Sequence, residues 1–188
     1  MSVFGIVVEG PSDTAVYSAI ISKIRPDVQQ VICGECGGVA SLKRSFVGRL
    51  RGFEYRCVDK AIVIRDCDGK DPREVEADLM DRLKNSHFEP RFPVHFYATK
   101  SMVETWLLAD ARAVREVARL RGHNHAVKEV NVQEENRNAK TLFYAMLSQA
   151  GLPADPKVYG EIATEADIDI IEGCCPYFLK FREHIHAC

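Results

Sequence analysis

The sequence predicts an α/β protein: a mainly parallel sheet with helices on both faces, of Rossmann-like type, followed by a helical carboxy-terminal part. Three observations predict it. Continuous apolar runs of strand length stop at polar turns, each is followed by apolar residues spaced by three and four, and β-type runs cease after about Asp110. Parallel neighbours need a crossover, which is usually a helix, so this alternation argues for parallel pairing.

The first strand is predicted over residues 3–8, Val-Phe-Gly-Ile-Val-Val, closed by Glu9-Gly10-Pro11-Ser12-Asp13. Ser12 or Asp13 can cap a helix carrying Val16, Ala19, Ile20 and Ile24, which Pro26 closes. A shorter strand, 31–33, leads through Gly34, Gly37 and Gly38 into a helix over about 40–50 with Leu42, Phe46 and Leu50 on one face. The third strand, 60–65, stops at Asp66-Cys67-Asp68-Gly69-Lys70-Asp71-Pro72 before a helix with Val75, Leu79 and Leu83. The fourth, 94–98, precedes a helical stretch over 103–109. Beyond it, 114–120, 142–147 and 177–185 have helical patterning, while 123–138 reads as a polar, solvated connector. The expected division is an α/β domain over 1–110 and a helical extension over 111–188, packed on the same core.

Composition supports a folded chain. With 188 residues, 46% hydrophobic and 28% charged, 12 Gly and 8 Pro, collagen-like, mucin-like and disordered classes are excluded. No apolar run reaches the roughly 18 residues of a membrane span, and 1–5 lacks a signal-peptide pattern, so a cytoplasmic protein is expected. The formal charge of -2 argues against a non-specific nucleic-acid coat but permits a local basic groove or acidic cluster. Seven cysteines, Cys33, Cys36, Cys57, Cys67, Cys174, Cys175 and Cys188, are expected as free thiols. Cys33-x-x-Cys36 has zinc-like spacing but no second pair to complete a site.

Ligands of open parallel sheets bind outside the carboxyl ends of the strands. Two acidic clusters fall there: Glu9 with Asp13 after the first strand, and Asp66, Asp68 and Asp71 after the third. In an extended segment, Asp66 and Asp68 present both carboxylates to one side while Cys67 turns inward. Crowded carboxylates repel unless a cation lies between them, and Mg²⁺ takes one or two carboxylates together with waters and substrate phosphates. Turn chemistry accounts for Asp-x-Asp-Gly equally well. The loop is no EF-hand, and neither glycine-rich turn has the Lys-Ser/Thr pair of a Walker loop.

Val8-Glu9-Gly10-Pro11-Ser12-Asp13 and Ile64-Arg65-Asp66-Cys67-Asp68-Gly69 together resemble the Toprim domain, a family that includes topoisomerases, bacterial primases and the OLD-type nucleases. Its pattern is a Glu closing the first strand and an Asp-x-Asp after a later one. The resemblance implies that Glu9, Asp66 and Asp68 are the Mg²⁺-binding acidic residues and that Glu9 is the acid/base residue. The first motif also resembles the Glu-Gly-x-Ser/Thr-Asp/Glu form of the OLD-like branch, which puts Asp13 on a further acidic position. Residues 103–110, Val-Glu-Thr-Trp-Leu-Leu-Ala-Asp, resemble a signature of small stand-alone Toprim-like bacterial proteins, some associated with defence loci. The Toprim likeness covers about 3–109. A topoisomerase tyrosine domain and the ATPase domain of OLD nucleases are missing from this sequence, so any ATPase would be a separate partner.

Glu104 is a candidate second-metal carboxylate, or a helix-start Glu favoured by the helix dipole. Trp106 is expected in the core. Lys100 and Lys43 are candidate phosphate contacts, and Lys43, Arg44, Arg49, Arg51 and Arg56 are either a phosphate track or ordinary solvated helix charges. His123-x-His125 and the terminal His184-x-His186-x-Cys188 are not at strand ends, and Cys67 between carboxylates should have a raised thiol pKa. The expected activity is a Mg²⁺- or Mn²⁺-dependent phosphodiester hydrolase acting on DNA or RNA, with self-association open. The alternative is a non-catalytic module that binds nucleic acid or a partner ATPase. A phosphotransfer domain is disfavoured because Glu9 stands where the nucleophilic Asp would be.

Overall fold

The computed structural model describes residues 2–100, 102–132 and 138–187. Four strands and nine helices follow one another among them: β1 (Ser2–Val8), α1 (Pro11–Ile24), β2 (Val28–Glu35), α2 (Val39–Glu54), β3 (Lys60–Asp66), α3 (Pro72–Asn85), β4 (Val94–Thr99), α4 (Glu104–Ala109), α5 (Ala111–Leu120), α6 (Ala139–Ala150), α7 (Pro156–Glu165), α8 (Ile168–Cys174) and α9 (Phe178–His186). The strands form one parallel sheet in the order β2-β1-β3-β4, which sets β1 beside β3. The α/β class and the helical carboxy-terminal part are as the sequence predicts. Part of the predicted connector, residues 133–137, lies outside the described residues, as does Cys188.

Side chains alternate across the sheet with the two-residue period of a strand. Phe4, Ile6, Val8, Ile62 and Ile64 enter a large buried cluster with α1 and the helices after β4, including Trp106, Phe143, Tyr159, Phe178 and Phe181. Val7, Ala61 and Val63 face the other way, onto Leu42, Phe46, Leu50 and Phe53 of α2 and Leu79 of α3. The carboxy-terminal helices therefore share the core of one sheet face. They are also tied to β4 and α3 through Glu76, which accepts from the Ala98 N–H at 3.2 Å and the Tyr177 hydroxyl at 3.3 Å and pairs with Lys180.

Gly5, on central strand β1, permits a close approach of α2. A Cβ there would meet Cδ2 of Phe53 at 2.7 Å. Gly5→Ala is expected to cost about 1–3 kcal/mol through overpacking. The urea midpoint reads the loss; an unchanged midpoint would mean that the Phe53 ring turns aside freely.

The first helix starts earlier than a Ser12 or Asp13 cap allows. Pro11 occupies the first helical position, so Gly10 is the N-cap, and Asp13 lies in the first turn with its carboxylate accepting from the Gly10 N–H at 2.9 Å. This choice of start turns the Asp13 side chain back toward the end of β1.

Candidate functional site

The carboxyl ends of β1, β2, β3 and β4 meet at one rim. The loop after β2 turns through Gly37 (φ 75) and Gly38 (φ 100), left-handed conformations that favour glycine. Their N–H groups both donate to the Glu9 carbonyl, at 2.8 and 2.9 Å, while Cys36 N–H donates to Val8 O at 3.1 Å. This fixes the backbone of Glu9 just beyond β1. Across the gap, the Asp66 N–H faces Glu9 Oε1 at 3.4 Å, and Cys67 N–H donates to Thr99 O at 3.1 Å, joining the ends of β3 and β4. Thr99 is held in turn by the Tyr17 hydroxyl of α1 at 2.5 Å.

Cys67 is buried, as an inward turn requires, but Asp66 and Asp68 do not continue a common extended segment. Asp68 adopts a left-handed φ of 51°, and its carboxylate is exposed, 3.9 Å from the guanidinium of buried Arg65. The chain has already begun its turn toward Gly69. Asp66 stays half-buried at the strand end.

From beyond β4, Glu104 enters the rim as a buried carboxylate, 6% exposed. It accepts from the Tyr159 hydroxyl of α7 at 3.3 Å, and Lys140 Nζ of α6 lies 3.9 Å away. The resulting cleft, of about 600 Å³, is lined by Glu9, Asp13, Asp66, Asp68 and Glu104, by the Gly10–Ser12 and Gly37–Gly38 backbones, and by Met102, Lys140, Tyr144 and Tyr159. Five of the six acidic residues singled out in the sequence line one cleft, while Asp71 instead caps α3, accepting from the Arg73 N–H at 2.7 Å.

Crowding has an electrostatic consequence. Burial, then the charge of Asp13, pushes Glu9 up to about 7, against the pull of the Asp66 N–H and Arg65. Burial also pushes Asp13 up to about 6, opposed by its bond from Gly10 and reinforced by Glu104. Asp66 is held well above the usual carboxylate range by burial and by Asp13, Glu9, Glu104 and Asp68. Among the described residues, no three of His, Cys, Asp and Glu converge closely enough to ligate one ion with the side chains as they stand. A spread, all-oxygen set nonetheless fits the demands of Mg²⁺, which retains waters and binds few carboxylates directly.

Other predicted residues lie elsewhere. Lys100 is half-buried after β4 and is not among the described residues lining the cleft. Lys43 pairs with Asp78 at 2.8 Å in a separate cleft between α2 and α3, with Arg44 and Arg82. Arg51 packs 5.3 Å over the Phe88 ring. Trp106 is core, 1% exposed, with edge contacts to Tyr17 and Phe178 at 5.4 and 4.7 Å. Cys33 packs toward the α1 side of the sheet and Cys36 toward the α2 side, which separates a would-be zinc pair. Cys67 is pushed up to about 12, first by burial and then by Asp66. His123 and His125 stack on each other at 6.1 Å beside Gly151, and His184 packs on His95 at 5.0 Å.

Besides Met102, the cleft residues that the sequence does not mark are Lys140, Tyr144 and Tyr159. They come from α6 and α7, which fold back over the strand ends, and nothing local in their sequence marks a site.

No protein-family model matches the chain, and no curated protein matches it by sequence. Its fold is similar to that of the C-terminal region of the Burkholderia pseudomallei OLD protein, with a TM-score of 0.52 over 97% of this chain and 96% of that one, at 13% identity. The molecule is thus an α/β protein with a parallel sheet and an acidic cleft at its strand ends. The similarity spans the helical part as well as the sheet. Among the described residues, no helix is long and apolar enough to cross a membrane.

Proposed function

We propose that the protein is a Mg²⁺- or Mn²⁺-dependent phosphodiester hydrolase acting on DNA or RNA. The observation that carries this reading is the gathering of Glu9, Asp13, Asp66, Asp68 and Glu104 around one cleft, at the end of a parallel sheet where phosphate ligands bind. Glu9, Asp66 and Asp68 would hold the ion, with Asp13 and Glu104 completing the acidic wall. Bound there, Mg²⁺ supplies a water of lowered pKa and polarises the phosphate oxygens.

The residues of the chain account for the rest. Glu9, its backbone pinned by Gly37 and Gly38, can take a proton from the attacking water at an Oε and release it. Asp66 sits at the end of β3 among four other carboxylates, whose charges and its own burial disfavour its ionised form and would be offset by a cation. Lys140 brings positive charge to a cleft otherwise lined by five carboxylates, where it can offset charge on a phosphate. The similarity of fold to an OLD C-terminal region supports the reading, and it leaves a separate ATPase partner as part of the proposal.

The test is cleavage of labelled single-stranded DNA, duplex DNA, plasmid and RNA with Mg²⁺ or Mn²⁺, with Glu9→Gln beside wild type. Metal-dependent cleavage that Glu9→Gln loses is the expected outcome. A folded wild type that binds Mn²⁺ and cleaves none of the four would sink the hydrolase and leave a binding module.

A further inference from the structure

Resting on that reading of the cleft, we infer that Tyr144 is a stacking platform for an unpaired nucleobase, so that the site takes single-stranded nucleic acid in preference to intact duplex. Tyr144 is 43% exposed, and it lines the cleft beside the carboxylates. The other aromatic residues of α6 and α7, Phe143 and Tyr159, are buried, edge to face at 5.1 Å. The open ring of Tyr144 is therefore not spare core surface; it faces the space the substrate would occupy.

The ring is also held in place before anything binds. Its neighbour across the cleft wall, Tyr159, is buried and anchored by its hydroxyl to Glu104 at 3.3 Å. Lys140, one turn earlier on α6, places its Nζ 5.8 Å from the ring centroid. A fixed aromatic face loses little entropy on binding, and a base stacked on it comes with a phosphate that the neighbouring lysine can meet. The Gly37–Gly38 backbone lines the same cleft, and the space beside it is open: a Cβ added at either would meet no other part of the chain within 4 Å.

Stacking on a side chain requires a base that has left its own stack. In duplex the base faces are already covered, and unstacking is costly. A single strand offers its bases at little cost, and stacking on tyrosine is tolerant of sequence. The preference for single strands follows from the ring and not from the carboxylates, which would treat the phosphates of either form alike.

The inference is tested by fluorescence anisotropy with Ca²⁺ in place of Mg²⁺ to suppress turnover. The probes are a short single-stranded DNA, the matching RNA, the blunt duplex, and a single strand of the same length made of abasic sites. Wild type should bind the base-bearing single strands more tightly than the duplex. Tyr144→Ala should weaken that binding about tenfold or more. Tyr144→Phe should remain near wild type, and neither change should matter on the abasic strand. Tightening on DNA, RNA or both satisfies the inference, and the pair of probes tells which sugar the cleft accepts.

It is overturned if wild type binds no single strand or prefers the duplex. It is likewise overturned if Tyr144→Ala has no effect, or if it weakens the abasic strand equally. Since binding is read without turnover, the two readings fail separately. Base-dependent binding without cleavage refutes the hydrolase alone, and cleavage with a silent Tyr144→Ala refutes the platform alone.

Discussion

Asp66→Asn is expected to make the metal-free protein more stable and the enzyme inactive. Asp66 sits at the end of β3 with Asp13, Glu9, Glu104 and Asp68 around it, and burial with these charges raises its pKa well above the 3.8 of an ordinary Asp. At neutral pH the unfolded chain carries this carboxylate ionised in water, whereas the folded chain must either desolvate the charge or protonate it. Asparagine keeps the shape and removes that cost. The thermal midpoint should rise at pH 7 to 8, by about 2–4 °C for each kcal/mol relieved in a chain of this size. The gain should shrink as pH falls toward 3.8, where the unfolded carboxyl also takes up its proton. Metal-dependent cleavage should fall roughly a thousandfold, the scale of removing a group that stabilises charge at the reacting centre. Opposite movements of stability and activity mark a carboxylate kept for its site. A midpoint that drops in Asp66→Asn would show instead that Asp66 carries a structural bond, and the crowding would then not be the source of its raised pKa.

The sequence alone makes the acidic half of this site legible and leaves the other half unread, for a physical reason. Glu9 and Asp66 directly follow or close buried strands whose apolar runs are continuous, so their place at the carboxyl ends of β1 and β3 follows from where the runs stop. Edge strand β2 is harder: it runs from Val28 to Glu35, but exposed Gln29 and Gln30 break its apolar pattern, and only its centre can be recognised. Helices α7 and α8 are short and bounded by Asp155-Pro156 and Asp167, turn-like signals that here act as N-caps, their side-chain oxygens accepting from Val158 N–H and Asp169 N–H. Tyr159 is hidden by the same circumstance. Lys140 and Tyr144 meet the cleft only because α6 folds against α4, a tertiary contact with no local signature. The direction of Asp68 was likewise decided by a backbone turn and the nearby Arg65, against the alternation that an extended strand would impose.

The affinity of the cleft for a divalent cation should climb steeply with pH, and the stability of the metal-free protein should move the other way. Glu9 titrates at about 7 and Asp13 at about 6 in the fold, above their ordinary 4.5 and 3.8. Both are thus raised carboxylates, so between pH 4 and 7 the folded state binds more protons than the unfolded one, and stability from these groups declines as pH rises. Below about pH 4 both states are protonated and the difference vanishes. An ion must displace those protons. At pH 5 these two carboxyls together hold back binding by roughly a thousandfold, a factor near 100 from Glu9 and near 10 from Asp13, and at pH 8 these two hold back almost nothing, with Asp66, also raised, adding in the same direction. Mn²⁺ titration by calorimetry from pH 5 to pH 8 should therefore show affinity rising by about that factor or more. Two buffers of different ionisation enthalpy should reveal proton release from Glu9 and Asp13 that is larger near pH 6 than at pH 8. Added Mn²⁺ should also lift the thermal midpoint more at pH 8 than at pH 5, since the repulsion it relieves exists only when the carboxylates are charged. Glu9→Gln should flatten the pH dependence by the larger factor and leave the tenfold share of Asp13. An affinity that stays level across this range would mean that the ion binds away from these carboxylates, and the cleft would then have to be read as an acidic surface without a cation.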